Sequence, residues 1–243
     1  MRSQNESLTE QVRALQLSLK EECERSAKLQ ATLDRQSPTK RAATPSWARD
    51  GLNGIELYYP QACRKDPGLA TCILYLLEHM GLAFETKAPE ELPPYAYPCF
   101  SPPMVRMPDG LVLAQTPAIM STLGRALDLG GVSAHDESHC QMVMMNVQDI
   151  VGEWARLREN KGRMLKWFDV LEQELATANS GYLVGRRLTY ADYFAYPALC
   201  PRFEELGEAD RELFPKLGNF MEMMKDLLRV SKEKLVAKGY PVQ

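Results

Sequence analysis

Hydrophobic spacing divides the chain into stretches of different character. Over residues 1–36, Leu8, Val12, Leu15 and Leu19 recur in steps of four and three. The register then passes Glu22 and Ser26 and returns at Leu29 and Leu33, while Glu10, Arg13, Lys20, Glu21 and Glu24 occupy other faces. This heptad seam with a polar break predicts a coiled-coil helix. A frayed amphipathic helix is the alternative, since few heptads hold a short helix weakly. Residues 37–51 read as a flexible linker, because Ser37-Pro38 and Thr44-Pro45 stop any helix. Ser37-Pro38-Thr39-Lys40 also fits a proline-directed kinase site, where a phosphate would set negative charge beside Lys40 and Arg41.

From residue 52 to 128 the pattern changes. Ile55 to Tyr59 is a β-rich run. Asp66-Pro67 suits a helix start, and the helix predicted to Met80 turns Leu69, Ile73, Leu76 and Leu77 inward before Gly81 ends it. Leu82 to Lys87 reads as a second strand. Residues 88–103, crowded with Pro and aromatics, leave room for one short helical turn. Met104–Met107 and Leu111–Leu113 flank Pro108-Asp109-Gly110 as a β-hairpin. Thr116 stands as N-cap with Pro117 at the first helical position, and Ile119, Leu123 and Leu127 share a face of the helix that follows. This order predicts a small mixed sheet with helices packed on it, a thioredoxin-like α/β domain.

Residues 133–243 read as helical throughout. One helix is predicted over Asp136–Glu159, with Met142, Met145, Ile150 and Trp154 among its apolar positions, and another over Gly162–Thr177. Thr189 and Asp192 form a capping box opening an apolar helix from Tyr193 to Leu199. Phe214-Pro215 opens a further helix, and Lys232 to Gln243 reads as a polar, solvated end.

The 243 residues suffice for two modest domains, and a net charge of −3 gives no electrostatic case for nucleic acid. No apolar run approaches the roughly 20 residues needed to span a bilayer, so no membrane partner is expected. Cys23, Cys63, Cys72, Cys99, Cys140 and Cys200 are scattered with no CxxC pair, which argues against a disulfide framework and against a zinc site. A reducing, cytoplasmic setting and no bound metal are the expectations. HExxH, Walker, GxGxxG and GxSxG patterns are absent, and three histidines supply a triad poorly. His79, near the end of an apolar helix, suits a cap or core role.

Three groups of residues carry a family resemblance. Pro103, Asp109-Gly110 and Leu113-x-Gln115-Thr116-Pro117-Ala118-Ile119 resemble the glutathione-binding stretch of cytosolic glutathione transferases. Tyr182-Leu183-x-Gly185 followed by Leu188-Thr189-x-Ala191-Asp192 is similar to that family's C-terminal signature. Leu57-Tyr58-Tyr59 with Ala62-Cys63 resembles the first-strand motif of its bacterial-type, sigma-like members. The resemblance spans about residues 52–230 and implies a glutathione transferase fold: a thioredoxin-like domain over 52–128, then an all-helical domain over 133–243.

It further implies glutathione as co-substrate, conjugated to an apolar electrophile, and a homodimer. Tyr59 or Cys63 would stabilise the thiolate; Pro103, Met104, Gln115 and Thr116 would bind glutathione; Met144, Met145 and Trp154 would line the second-substrate pocket. Pro102 departs from the pattern, because the family residue there gives both a backbone N–H and a C=O to the ligand, and proline has no N–H. As core residues, Tyr59 and Cys63 would carry no chemistry. The alternative function is a non-catalytic interaction or dimerisation module, targeted to a protein partner by its coiled coil.

Overall fold

The computed structural model describes residues 51–60, 68–92, 101–240 and 242, all within one compact unit, Ala43–Gln243. The heptad segment, the linker with Ser37, Cys63, Asp66-Pro67 and residues 93–100 lie outside the described residues.

Strands β1 (Ile55–Tyr58), β2 (Phe84–Lys87), β3 (Met104–Arg106) and β4 (Val112–Ala114) form one sheet in the order β2-β1-β3-β4. β1 runs parallel to β2 and antiparallel to β3, which is antiparallel to β4. Strand alternation sorts the two faces. Ile55, Leu57 and Val105 join the main core with residues of helices α1 (Ala70–His79) and α2 (Thr116–Ala126). Tyr58 and Met104 occupy the other face with Leu92. β3 starts at Met104 as read from the sequence but ends one residue early at Arg106, and β4 lies one residue later than read, because the Met107 N–H bonds to the Leu111 carbonyl and closes the turn there. A single 3-10 turn, Pro89–Glu91, is the short helical piece expected after β2.

Helices α3 (Ala134–Glu159), α4 (Lys161–Ala178), α5 (Tyr190–Glu204), α6 (Glu208–Arg211) and α7 (Pro215–Ala237) complete the fold. α3 starts two residues before Asp136 because Ser133 caps it: the Asp136 N–H donates to Ser133 Oγ at 3.1 Å, and the Ser133 N–H donates to Asp136 Oδ2 at 3.2 Å. α5 opens on the expected capping box and runs through Pro197 and Pro201 to Glu204, five residues past the expected end. Asp192 is fully buried and accepts from the Thr189 N–H (2.7 Å), the Thr189 hydroxyl (2.8 Å) and the Leu183 N–H (2.9 Å). Burial outweighs these donors and pushes its carboxyl up to about 6.

The sheet half and the helical half share one interior. The Cys72 thiol donates to the Phe194 carbonyl at 3.3 Å. The Tyr193 hydroxyl lies 2.7 Å from His79 Nδ1, so His79 ends α1 as a tie to α5. Tyr75 meets Tyr196 edge to face with ring centres 6.3 Å apart. Gly124 of α2 lies directly on the Tyr190 ring. Arg187 reaches the Asp128 carboxylate at 3.2 Å and also donates to the Gly131 carbonyl, fixing the connection between the halves.

The reading of residues 232–243 as a solvated end is corrected. Helix α7 continues to Ala237, and Leu235 and Val242 are buried. The Tyr240 and Thr86 hydroxyls lie 2.8 Å apart, the Tyr240 ring packs 6.1 Å from that of Phe84, and Lys238 Nζ lies 2.6 Å from Glu78 Oε2. The polar composition concealed three apolar anchors spaced to dock on α1 and the β2 edge. Tyr240→Ala removes a hydroxyl contact and a half-buried ring, and is expected to cost about 2 kcal/mol. That lowers Tm by about 4–8 °C in a chain of this size. An unchanged thermal melt would show that the tail rests on the sheet without stabilising it.

Candidate active site at the end of the sheet

Strand register brings the site together. Tyr58 pairs with Met104, and Met104 with Ala114. With neighbouring strands ~4.8 Å apart, these three positions lie in a row across ~10 Å. The residues continuing from that row are Tyr59 after β1, the cis Pro102–Pro103 bond before β3, and Gln115 leading from β4 into α2. Tyr59, Pro103, Gln115 and Thr116 therefore gather at one end of the sheet.

Gln115 holds φ 65°, ψ 111°, in the positive-φ region that non-glycine residues rarely enter. This turn makes Gln115 the N-cap and Thr116 the first helical residue, so the cap lies one position earlier than the sequence reading placed it. Gln115 is exposed and Thr116 is buried. The first-turn N–H groups of α2 point back toward the sheet end, where a carboxylate is favoured.

The two adjacent tyrosines divide by face. Tyr58 is buried, and its hydroxyl donates to Glu56 Oε2 at 2.5 Å. Glu56 also holds Lys87, and Arg106 at 3.2 Å, whose guanidinium lies 5.6 Å over the Tyr58 ring. Burial, then Glu56, push the Tyr58 hydroxyl up to about 12, and that hydroxyl is already committed to Glu56 on the Leu92 and Met104 face of the sheet. The Lys87 and Tyr58 hydrogen bonds hold the Glu56 carboxyl below its ordinary value. Tyr59 is half-buried, and its N–H donates to the Lys87 carbonyl at 3.0 Å, so strand geometry persists there and alternation puts Tyr59 on the opposite face, toward the helices. The Glu56 network was not foreseen, although the Glu-x-Tyr spacing on one strand face was a signal for it. Met104 is fully buried against Tyr58 and Leu92, so its side chain packs beneath the sheet end rather than lining it.

A cleft of about 310 Å³ opens between the first turn of α1, helix α3 and the second half of α5. Trp154 lines it; Met144 and Met145 are not among the described residues that do. Met144 is in the core, and Met145, like Met142, is about half exposed. The Trp154 Nε1–H donates to Glu205 Oε2 at 3.2 Å, and the Arg202 guanidinium lies 5.6 Å over the indole. Among the described residues no cluster of His, Cys, Asp and Glu could hold a metal ion, and no helix is long and apolar enough to cross a membrane.

Residues 142–227 match the family model for the glutathione S-transferase C-terminal domain. The chain is 32% identical over 91 residues to a glutathione S-transferase of Plasmodium yoelii yoelii, a match covering 34% of this chain and less than half, 44%, of that relative. It is 29% identical over 185 residues to glutathione S-transferase A1 of Mus musculus, covering 68% of this chain and 82% of that one. The solved Pi-class glutathione S-transferase of Onchocerca volvulus superposes with a TM-score of 0.65 at 24% identity, over 78% of this chain and 97% of that one. The described residues thus have the glutathione transferase fold, and residues 142–227 match the C-terminal domain of that family.

Proposed function

We propose that this protein binds glutathione at the sheet end and transfers its thiolate to an electrophile seated in the cleft lined by Trp154. The observation that supports this reading is the strand register gathering Tyr59, Pro103, Gln115 and Thr116 at one end of the sheet. In this reading Thr116 and the first turn of α2 hold the γ-glutamyl carboxylate, with Gln115 offering its amide. Pro102 offers a carbonyl but no N–H to the cysteinyl unit, a loss of about 0.5–1.5 kcal/mol against a residue offering both. Tyr59 donates to the sulfur and lowers the thiol pKa; Cys63 is the second candidate for that role. A sigma-like class, a homodimer, a cytoplasmic setting and a protein partner for the heptad segment belong to the same proposal.

Calorimetric titration with reduced glutathione tests it. Binding between micromolar and millimolar is expected, weakened about tenfold or more in Thr116→Ala, since a hydrogen bond to a charged group is worth about 1.5–3 kcal/mol. Tyr59→Phe should keep glutathione affinity and lose about 10- to 100-fold in conjugation rate. Absence of binding at millimolar glutathione would overturn the enzyme reading in favour of an interaction module.

A further inference from the structure

We infer that the segment after α7 is a latch on the free edge of β2, and that with the latch lifted this edge pairs with β2 of a second copy of the chain.

β2 closes one side of the sheet, and among the described residues no strand pairs with its outer side. The Ala83 and Lys87 carbonyls accept from the Gly54 and Tyr59 N–H groups at 2.9 and 3.0 Å, so the odd-numbered residues of this strand face β1. Backbone groups alternate in direction along a strand, which turns those of Phe84 and Thr86 outward. Such an edge is a template for another strand, and β2 is complementary to itself. A two-fold axis through Thr86 sets that residue opposite its copy, where the two exchange N–H···O bonds. In this antiparallel register the Glu85 of each copy stands across from the Lys87 of the other, a favourable cross-strand pair formed on both sides of the axis. Glu85 is free to take that partner: its side chain is 77% exposed and its own Lys87 is 4.0 Å away.

The tail occupies the space that this pairing needs. Helix α7 ends in a Schellman turn, with Gly239 at φ 85° and the Tyr240 N–H donating to the Leu235 carbonyl at 2.9 Å. The turn lays Tyr240 on Thr86 and Phe84, 2.8 Å between hydroxyls and 6.1 Å between ring centres. Thr86 stands beside Leu57 in the register, so its side chain is on the face that carries the helices. Lys238 Nζ sits between the Glu78 carboxylate at 2.6 Å and the Phe84 ring at 5.3 Å. Across the axis two paired Thr86 residues would lie about 5.5 Å apart with both side chains on that face. Two Tyr240 rings would then claim one place, so latch and pairing exclude each other. Release comes from local opening of a chain end, which takes far less than unfolding the core.

Sedimentation of the full chain over a wide range of concentration tests this. Tyr240→Ala is expected to tighten self-association about tenfold or more over the unmodified protein, because the fraction of molecules competent to pair rises. In that background Glu85→Lys sets like charges across both pairs and should weaken association about 3- to 10-fold. Thr86→Pro removes the outward N–H while leaving the β1 side of the strand its bonds, and should abolish it. Hydrogen exchange of Tyr240→Ala gives the direct readout: protection of the Thr86 amide should rise with protein concentration. Tyr240→Ala sedimenting as the unmodified protein does would overturn the inference. So would association that survives both Glu85→Lys and Thr86→Pro, or association that appears only with loss of the cooperative melt.

Discussion

Asp192→Ala is expected to cost about 3–5 kcal/mol, because it strands three buried donors together. The Thr189 N–H, the Thr189 hydroxyl and the Leu183 N–H all end on this carboxylate, and none has access to water. A buried donor left without a partner costs about 1–3 kcal/mol. Loss of the capping box also frees the start of α5, which carries Phe194 and Tyr196 into the interface with α1. The charge adds a pH signature. Burial raises the folded carboxyl from its ordinary 3.8 to about 6, so between those values the folded state binds more protons than the unfolded one. The contribution of Asp192 to stability is therefore largest at acid pH and falls as pH rises through about 6. Denaturant melts should show a wider gap between the unmodified and Asp192→Ala proteins at pH 4.5 than at pH 7.5. A gap that narrows on acidification would mean that the three donors keep the carboxylate ionised.

Gly124→Ala is expected to destabilise by about 2 kcal/mol, although alanine is the better helix former. A Cβ added there would overlap the Cβ, Cγ and Cδ1 atoms of Tyr190. Tyr190 cannot swing away cheaply: its ring is buried, its hydroxyl donates to the Glu137 carbonyl at 3.2 Å, and its N–H is held by the Leu129 carbonyl at 3.0 Å. Overpacking a rigid contact costs typically 1–3 kcal/mol and more where backbone-anchored atoms collide, and helix propensity returns about 1 kcal/mol. Because α2 and α5 must part to relieve the overlap, the glutathione binding proposed for the start of α2 should weaken along with the melt. A variant as stable as the unmodified protein would show that α2 can slide on α5 without loss.

Much of this was legible in the residues. Capping boxes, Pro at helix starts and the Asp-Gly turn are local, so Thr189-Asp192 and the β3–β4 hairpin could be read without the fold. Register was not readable, because nothing at Tyr59 or Gln115 alone says that the ends of β1 and β4 lie in one row across Met104. Glu56 was overlooked because its partners, Lys87 and Arg106, come from two other strands. The tail misled for the opposite reason: polar residues outnumber the anchors Leu235, Tyr240 and Val242, and only tertiary contact distinguishes a docked segment from a solvated one. Met145 showed helical spacing without facing the core, since a helix also carries apolar side chains on its outer face.

Cys72 gives the join between the two halves a clock of its own. Its sulfur has no solvent exposure, donates to a carbonyl across the join, and is held by burial far above the ordinary thiol range. A thiol reagent meets it only when α1 and α5 separate, so the rate of its modification counts separations of the halves rather than the reactivity of sulfur. Cys200, half-buried on the cleft wall and pushed only to about 11, keeps the faster time of local breathing beside it.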